Sequence, residues 1–568
     1  MMKKVVFFLF AALVLLQSCS PSETADLILI NGNIYTVDPG NPRVEAIAIQ
    51  GDRILKTGST AEIDRLKSEK TKVIDLKGQF VMPGFIEGHG HFSGLGASLI
   101  NLNFLKSKSW NEIVQAVAEK AKSAKPEEWI TGRGWHQEKW IEPLDQQEQG
   151  YPYHDLLSEV SPDHPVLLRH ASGHSLFANK KAMELAGISA ETPDPSGGRI
   201  VRNARGEAIG VFEERAMSLI NGVYQEYLDG LSASEQKELW LKGIQLAEEE
   251  CLKKGITSFQ DAGSSFEEIE WYRDLAEKGD LDLRLWAMLR HSFADMKDKL
   301  NGFPVLNLGN HTFTCRAIKS EVDGALGAFG AWLLRPYADK PGFEGQNTTP
   351  VSEVQNIARL AMDHDMQLCV HAIGDRANRV TLNIYEEIFK ANIGKTNLRW
   401  RIEHAQHLDT ADIPRFKQLG VIASMQGIHC TSDAPFVVKR LGESRSRLGA
   451  YPWRSLLDAG VLVANGTDAP VEDVSPIESF YASVTRRRAD SGLVFFPEQR
   501  MTREEAIYSY TMANAFAAFE EQLKGSLTAG KLADLVVLSN DLTQCADEDV
   551  LKTQIVMTMV GGEVKFRK

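Results

Sequence analysis

Residues 81–91 of this chain read VMPGFIEGHGH. Successive side chains of a β-strand point to opposite faces, so residues two positions apart share a face. His89 and His91 can therefore approach one metal ion together from the end of a single strand. A His-x-His pair alone is a weak indication, because histidine is also found in protein cores and on surfaces. Pro83 and Gly84, which mark the start of the strand, favour the metal-site interpretation.

Three further apolar runs end in side chains that can bind a metal ion or carry a proton. They lead into His371, His404 and Asp468. In α/β barrels the active site is built at the carboxyl ends of the strands. Taken singly, each residue could be a core histidine or an aspartate that caps the next helix. Four such strand ends in one chain favour a single site.

The order of strand-like and helical patterns predicts the fold class. Between about residues 82 and 515, apolar strand-like runs alternate with helical patterns such as those at 233–254 and 352–364. This alternation favours a parallel α/β fold, with a (β/α)8 barrel as the best candidate. The stretch from about 92 to 240 is long and irregular for one barrel repeat, so it is predicted to be an insertion near the mouth of the barrel.

Short β-rich stretches lie at both ends of the chain, at residues 25–81 and 525–568. Neither stretch has enough strands for a stable sheet alone. We therefore expect both ends to meet in one small β-sandwich, in which Lys531 and Asp534 have structural roles.

The first residues are expected to lie outside the fold. A short basic start precedes an apolar run at residues 5–16 that is too short to span a bilayer comfortably. The sequence LQSC follows and resembles a bacterial lipobox. Residues 1–19 are therefore interpreted as a signal peptide with Cys19 as the lipidated residue, and residues 20–24 as a polar tether. A plain secretory signal with a coincidental cysteine is the alternative. Both interpretations predict export. The lipobox further predicts a lipid-anchored protein in the bacterial periplasm or at the outer membrane.

Composition excludes some classes of partner. The formal net charge of −13 argues against nucleic acid, because phosphate binding requires a basic surface. Hydrophobic residues at 43% and charged residues at 24% are ordinary for a globular protein. Five cysteines remain if Cys19 is lipidated, and their odd number and wide spacing predict mostly buried free thiols.

Taken together, the motifs closely resemble the amidohydrolase superfamily, and within it the amidohydrolase-3, YtcJ-like branch. The resemblance covers nearly the whole mature chain, and its motifs are specific for the family but not for a substrate. Its pieces are residues 31–32, 83–91, 132–135, 173–175, 323–327, 371–375, 403–406, 466–470, 525–527 and 530–534.

The resemblance implies a metal site. Its implied ligands are His89, His91, His371, His404 and Asp468. Lys319 stands four residues before Asp323, where many relatives with two metals have a carboxylated lysine that bridges the ions. A surface or pocket lysine is the alternative. Imidazole and carboxylate ligands suit Zn²⁺, as one or two ions, although another divalent metal is compatible.

The resemblance also implies hydrolysis of a non-peptide C–N bond, such as an amide, N-acyl or cyclic amide bond. Metal-activated hydroxide would attack the carbonyl carbon, with Asp468 as general acid and base. An esterase, carbamate hydrolase or deaminase on the same scaffold is the second hypothesis. The third is an exported lipoprotein that binds a ligand without turnover, and the presence of Asp468 with the full ligand set argues against it.

The substrate pocket is expected to be formed by loops at the mouth of the barrel. The predicted contacts to a small-molecule substrate are Trp135, His174, Asp323 and Asp375. Further polar side chains near the expected loops, for which structural roles are equally open, are His136, His170, Arg290 and His429. The sequence does not determine the oligomeric state, and a homodimer is compatible with it.

Overall fold

The computed structural model describes residues 24–104, 107–137, 140–144, 146–170, 175–195, 198–327 and 329–568. The predicted signal peptide with Cys19, and the predicted pocket residue His174, lie outside these residues. The chain divides into two compact units. The first combines Met1–His91, described from residue 24 onward, with Glu250–Lys568, and the second is Phe92–Glu249.

The first unit begins with short strands and one helix, then enters the first strand of a barrel. In chain order these elements are β1 (Leu27–Ile30), β2 (Asn33–Tyr35), β3 (Arg43–Val44), β4 (Ala46–Gln50), β5 (Arg53–Gly58), α1 (Thr60–Asp64), β6 (Lys72–Asp75), β7 (Phe80–Pro83) and the barrel strand β8 (Phe85–Gly90).

The second unit is a mixed sheet with helices and its own apolar core, and its last helix, α7, continues past Glu249 into the first unit. Its elements are α2 (Phe92–Ile100), β9 (Leu102–Asn103), α3 (Trp110–Ala121), β10 (Ile130–Trp135), β11 (Gln147–Glu148), β12 (Tyr151–Pro152), α4 (Asp155–Val160), β13 (Val166–His170), β14 (Ser175–Ala178), α5 (Lys180–Leu185), β15 (Gly198–Arg202), β16 (Ala208–Glu214), α6 (Met217–Asp229) and α7 (Ala233–Lys253). The main sheet has the order β15-β16-β14-β13-β10-β9.

The first unit then resumes with alternating strands and helices. They are β17 (Ile256–Ser264), α8 (Phe266–Lys278), β18 (Arg284–Leu289), α9 (Phe293–Met296), β19 (Val305–Asn307), α10 (Leu308–His311), β20 (Phe313–Glu321), α11 (Val351–Asp363), β21 (Gln367–Ala372), α12 (Asp375–Ala391), β22 (Arg401–His404), α13 (Ile413–Leu419), β23 (Ile422–Gln426), α14 (Gly427–Ser432), α15 (Ala434–Leu441), α16 (Glu443–Gly449), α17 (Trp453–Asp458), β24 (Val463–Gly466), α18 (Pro476–Thr485), the 3₁₀ helix Pro497–Gln499, α19 (Arg503–Ser509) and α20 (Met512–Ala517).

Eight of these strands form a nearly closed parallel barrel. Their order is β8-β17-β18-β20-β21-β22-β23-β24, and every neighbouring pair in this path is parallel. The strands are buried almost throughout, as expected for a parallel sheet covered by helices. The predicted α/β class and barrel architecture are confirmed. Within the described residues, no helix is long and apolar enough to cross a bilayer.

The seam between β8 and β24 is closed by side-chain and loop contacts. The side-chain amide of Asn514 on α20 donates to the carbonyls of Ile86 and Asn465, at 2.6 and 2.7 Å. Its oxygen accepts from the Asn465 backbone N–H at 3.2 Å. The Tyr510 carbonyl also accepts from the Ile86 N–H at 2.8 Å. Because buried backbone polar groups need partners, these contacts take the place of a regular ladder at the seam.

Both chain ends contribute to one sheet outside the barrel. The C-terminal elements are β25 (Leu535–Leu538), α21 (Asp547–Val550), β26 (Ile555–Val560) and β27 (Glu563–Arg567). The sheet has the order β27-β26-β25-β7-β2-β3, and a second sheet has the order β5-β4-β1-β6. One apolar cluster holds buried side chains of both sheets, including Leu29 and Ile47 from one and Val537 and Met559 from the other.

A buried ion pair ties the C-terminal segment to the barrel. The Arg284 guanidinium on β18 donates to both carboxylate oxygens of Asp534, at 2.7 and 3.0 Å. The backbone N–H of Gly561 donates to the same carboxylate at 2.8 Å. Removal of one partner from such a pair costs about 3–5 kcal/mol, because the other charge stays buried. These contacts give Asp534 the structural role predicted for it.

The cysteines match their sequence-based prediction. Cys315, Cys369 and Cys430 are buried free thiols, Cys251 is buried as well, and Cys545 is half-buried. Burial raises the pKa of the Cys430 thiol to about 11, so this thiol is neutral and unreactive at neutral pH.

Candidate metal centre

The predicted ligands meet at the carboxyl edge of the barrel. His89 lies near the end of β8, and its Nε2 is 3.6 Å from Asp468 Oδ1. His91 Nε2 is 3.2 Å from the same oxygen. The imidazole ring of His404, at the end of β22, has its centroid 4.7 Å from that of His89 and 4.4 Å from that of His371. The structure thus brings together residues that are 379 positions apart in the chain.

The unpartnered atoms of this cluster fit a bound cation. Nε2 of His89 and Nε2 of His371 are buried and make no hydrogen bond to any described residue. Buried polar atoms without partners are rare in folded proteins and require an explanation. Ring nitrogens that converge with the Asp468 carboxylate form a nitrogen and oxygen ligand set of the kind that Zn²⁺ prefers. The residues present therefore fit a divalent metal.

A buried carboxylate fixes which nitrogen of His89 faces the site. Glu403 Oε2 hydrogen-bonds to Nδ1 of His89. A carboxylate only accepts, so the ring proton lies on Nδ1 and Nε2 keeps its lone pair. Such carboxylate–histidine pairs orient the ligand ring and increase its basicity in metal sites. Glu403 therefore prepares His89 as an Nε2 ligand.

Arg401 holds Glu403 in turn. Its guanidinium forms a two-point ion pair with this carboxylate, at 2.6 and 2.9 Å, and both side chains are fully buried. Nη1 donates to Gln260 Oε1 at 2.5 Å, and Nη2, which also pairs with Glu403, lies 2.7 Å from the Gly88 carbonyl and 2.8 Å from Ser424 Oγ. Burial would raise the pKa of Glu403, but Arg401 and His89 hold it well below its usual value. The carboxylate is therefore ionised.

His404 is prepared in a similar way by an amide. Its Nδ1 lies 2.8 Å from Gln426 Oε1, and the Gln426 amide nitrogen donates to the Ser424 carbonyl at 3.4 Å. The amide oxygen accepts the Nδ1 proton, so Nε2 of His404 also keeps its lone pair. The backbone of His404 has φ 73°, in the left-handed region. Such conformations cost about 1–3 kcal/mol and are concentrated at functional sites.

The loop that carries Asp468 is held against β8. The Asp468 N–H donates to the His89 carbonyl at 2.7 Å, and the Thr467 N–H donates to Glu87 Oε1 at 2.6 Å. Burial raises the pKa of Glu87 to about 8, against the hydrogen bonds from Thr467. A Cβ atom on Gly466 would lie 2.6 Å from the backbone nitrogen of His89, so only glycine allows this close approach of the loop to β8.

The buried histidines His89 and His371 are held in their neutral, metal-binding state. Burial lowers the pKa of His89 to about 4 and that of His371 to about 3, and Lys319 adds to both shifts. Burial would raise the pKa of Asp468, but the close contact with His91 and the nearby histidines hold it well below its usual value. Metal ligands must be neutral histidines and ionised carboxylates. At neutral pH His89, His371 and Asp468 meet that requirement.

Lys319 lies among the candidate ligands. It is on β20, is buried, and interacts electrostatically with Glu403, Asp468 and the site histidines. Burial lowers the pKa of its amine, although both carboxylates act in the opposite direction. The predicted lysine therefore belongs to the cluster, and its carboxylation stays a prediction.

The predicted substrate contacts occupy structural positions. Asp323 accepts from the backbone N–H groups of Trp332, Ile373 and Gly374 at 2.7–2.9 Å. Asp375, the first residue of α12, accepts from the N–H of Leu334 at 2.7 Å.

Trp135 occupies a structural position too. It is buried in the core of the second unit, and its indole N–H donates to the Leu168 carbonyl at 2.8 Å. Contact of Asp323, Asp375 or Trp135 with a substrate stays a prediction.

The groups that support the candidate ligands were not predicted from the sequence. Arg401 and Glu403 stand two positions apart on one strand, so they share a face. Two opposite charges inside an apolar strand run indicate a buried pair, and this signal was present in the sequence. The contact between His404 and Gln426 left no such signal, because it joins the ends of two different strands.

A sequence model of the amidohydrolase family matches residues 72–566. The protein LONG AFTER FAR-RED 3 of Arabidopsis thaliana is 32% identical over 562 residues, covering 96% of this chain and 93% of that protein. The N-substituted formamide deformylase of Arthrobacter pascens is 28% identical over 571 residues, covering 96% and 99%.

A solved structure has the same overall fold. It is the crystal structure of an uncharacterized metal-dependent hydrolase from Pyrococcus furiosus, with a TM-score of 0.72 and 28% sequence identity. The match covers 91% of this chain and 100% of that chain. The similarity therefore extends over both units described above.

Replacement of Glu403 by glutamine is predicted to weaken metal binding without removing a ligand. The amide cannot hold the His89 proton on Nδ1 as strongly, so zinc affinity should fall by about 10–100-fold. Titration of chelator-treated protein with Zn²⁺ against a chromophoric chelator measures this change. Glu387→Gln, on the exposed side of α12, is the matched control and should leave the affinity unchanged. Unchanged zinc affinity in a folded Glu403→Gln protein would contradict the assigned role.

Proposed function

Because the chain belongs to the amidohydrolase family, we propose that it hydrolyses a non-peptide carbon–nitrogen bond of a small molecule. The bond would be an amide, N-acyl or cyclic amide bond. One observation carries this proposal: the buried carboxylate of Asp468 stands beside the Nε2 atoms of His89 and His91. A protein that only binds a ligand does not need a proton-accepting group at this place, so the arrangement favours catalysis.

The proposed cofactor is Zn²⁺, as one or two ions. The residues proposed to hold it are His89, His91, His371, His404 and Asp468, with Lys319 beside them. When bound, the ion would polarise the scissile carbonyl and lower the pKa of a water molecule from 15.7 to about 7. The lowered pKa values of His89, His371 and His404 and the ionised Asp468 support this assignment, because these groups need not lose protons before binding.

Asp468 is proposed to move the proton at the reacting atoms. As the water oxygen bonds to the carbonyl carbon, the Asp468 carboxylate accepts the water proton and the carbonyl π electrons shift onto oxygen. Those electrons return to carbon when the C–N bond breaks, and Asp468 delivers the proton to the leaving nitrogen. Amide and water thereby give a carboxylic acid and an amine. The low pKa of Asp468 supports its starting state as an anion.

The relatives support the choice of bond. The Arthrobacter pascens protein is described as acting on N-substituted formamides, which contain a non-peptide amide bond. The Pyrococcus furiosus structure is described as a metal-dependent hydrolase. Both descriptions agree with the donor set and with the position of Asp468 in this chain.

Replacement of Asp468 by asparagine is predicted to slow hydrolysis strongly while the four site histidines still hold the metal. Asp468→Asn keeps the size of the side chain but removes the proton acceptor, so kcat should fall by about 10²–10⁴-fold. Release of a free amine from N-substituted formamides, N-acyl amino acids and cyclic amides, followed with an amine-reactive reagent, measures amidase activity. Acid release from simple esters, followed with a pH indicator, measures esterase activity. Ammonia release from aminated heterocycles detects a deaminase.

Two observations test the assignment of Asp468 independently. Treatment of the wild-type protein with a chelator should remove activity, and added Zn²⁺ should restore it. Metal analysis of Asp468→Asn shows whether the ion remains. Hydrolysis at the wild-type rate in a zinc-loaded Asp468→Asn protein would refute the assigned role.

We also propose that the protein is exported and held at a bacterial membrane by a lipid on Cys19. The basic start, the short apolar run and the LQSC sequence support this proposal. Cys19→Ala should move the full-length protein from the membrane fraction to the soluble fraction of bacterial cells. Cys545→Ala, which changes a cysteine far from the lipobox, should leave the distribution unchanged. Unchanged membrane association of Cys19→Ala would count against lipidation.

A further inference from the structure

His429 is a buried histidine in the site that is not among the candidate metal ligands. It lies on α14, directly after barrel strand β23. Its Nε2 is 3.8 Å from Asp468 Oδ2 and makes no hydrogen bond to any described residue. The potential ligand atoms of His404, His429 and Asp468 all lie within 4.8 Å of one another. His429 therefore lies beside Asp468, the proposed general base, in the same site.

The hydrogen-bond partner of Nδ1 determines whether Nε2 of His429 carries a proton. The side-chain nitrogen of Gln406 lies 3.1 Å from Nδ1 of His429, and both side chains are buried. An amide nitrogen is a donor only, so Nδ1 must accept. In a neutral imidazole the proton then lies on Nε2. His429 thus presents an N–H group to the site, where His89 and His404 present lone pairs.

His429 therefore differs from the candidate metal ligands His89 and His404 in the position of its ring proton. The Nδ1 atoms of His89 and His404 face oxygen atoms of Glu403 and Gln426. Their Nε2 atoms are free to bind a cation, whereas an Nε2 that carries a proton cannot do so. The rings of His404 and His429 are nearly parallel, at 14° with centroids 6.2 Å apart. Two similarly oriented histidines therefore present opposite hydrogen-bonding character.

We propose that His429 donates its Nε2–H hydrogen bond to the substrate oxygen that becomes negatively charged during hydrolysis. This inference rests on the proposed function, because that charge appears when the water oxygen bonds to the carbonyl carbon and the π electrons shift onto oxygen. The charge disappears when the C–N bond breaks, so the donor acts mainly in the transition state. Removal of one such donor typically lowers kcat by about 10²–10³-fold.

Variants of His429 distinguish a hydrogen-bond donor from a metal ligand. His429→Leu removes the donor, and His429→Gln places an amide N–H near the Nε2 position. His364→Leu, at the end of α11 and outside the site, is the matched control. The first readout is the zinc content of each purified protein, which should equal that of the wild type. Loss of zinc from both His429 variants would show a metal ligand and overturn the proposal.

Binding of a tetrahedral oxyanion tests whether His429 is a hydrogen-bond donor, and this test does not require a known substrate. Inorganic phosphate is titrated into the zinc-loaded proteins by calorimetry. We expect His429→Leu to weaken phosphate binding by about 10–100-fold, since a hydrogen bond to a charged group contributes about 1.5–3 kcal/mol. His429→Gln should recover most of the affinity, and His364→Leu should match the wild type. Equal phosphate affinity in wild type and His429→Leu would overturn the proposal.

A variant of the neighbour tests the tautomer itself. Gln406→Met leaves His429 in place but removes the amide that holds the proton on Nε2. Phosphate affinity should fall to a value between those of wild type and His429→Leu, with zinc content unchanged. This variant also keeps the test decisive if His429→Leu fails to fold. Wild-type affinity in Gln406→Met would contradict the role of the Gln406 contact.

Kinetics distinguish a failure of this inference from a failure of the proposed function. On any C–N substrate that the wild type hydrolyses, His429→Leu should lower kcat by about 10²–10³-fold with a much smaller change in KM. If the wild type hydrolyses such a substrate and His429→Leu is equally fast, only the role of His429 is wrong. If the wild type hydrolyses none, the proposed function is wrong, and the phosphate titration still decides whether His429 is an oxyanion donor.

Discussion

The buried carboxylate of Glu403, held between Arg401 and His89, is the constraint on which the site depends. Arg401 neutralises this charge and also contacts groups on three other barrel strands: Gln260, Gly88 and Ser424. Removal of one partner of such a pair leaves a charge in the protein interior at a cost of about 3–5 kcal/mol. One network thus joins the packing of the barrel to the orientation of the first metal-binding histidine.

Hydrogen-bond partners behind the site give its histidines different roles. Oxygen acceptors at Glu403 and Gln426 hold protons on the far nitrogens of His89 and His404 and leave lone pairs facing the site. The amide donor at Gln406 has the opposite effect on His429. All these groups are buried, so the contacts that select each tautomer are shielded from bulk solvent. The proposed division between metal binding and hydrogen-bond donation follows from these contacts.

Much of the fold and the candidate ligands could be predicted from sequence, because they depend on local periodicity. The two-residue repeat of a strand places His89 and His91 together, and barrel topology collects His371, His404 and Asp468 at one edge. The seam made by Asn514 and the Gln406–His429 contact could not be predicted, since both depend on how distant segments pack. The same holds for Trp135, whose motif suggested the pocket but whose side chain fills the core of the second unit.

Crystallography of the zinc-loaded protein with data at the zinc absorption edge tests the central claim most directly. The account predicts an anomalous difference peak bonded to Nε2 of His89 and to the carboxylate of Asp468, with Nδ1 of His89 still hydrogen-bonded to Glu403. No zinc peak should be bonded to His429. Zinc bound away from Asp468, or bonded to Nδ1 of His89, would contradict the account.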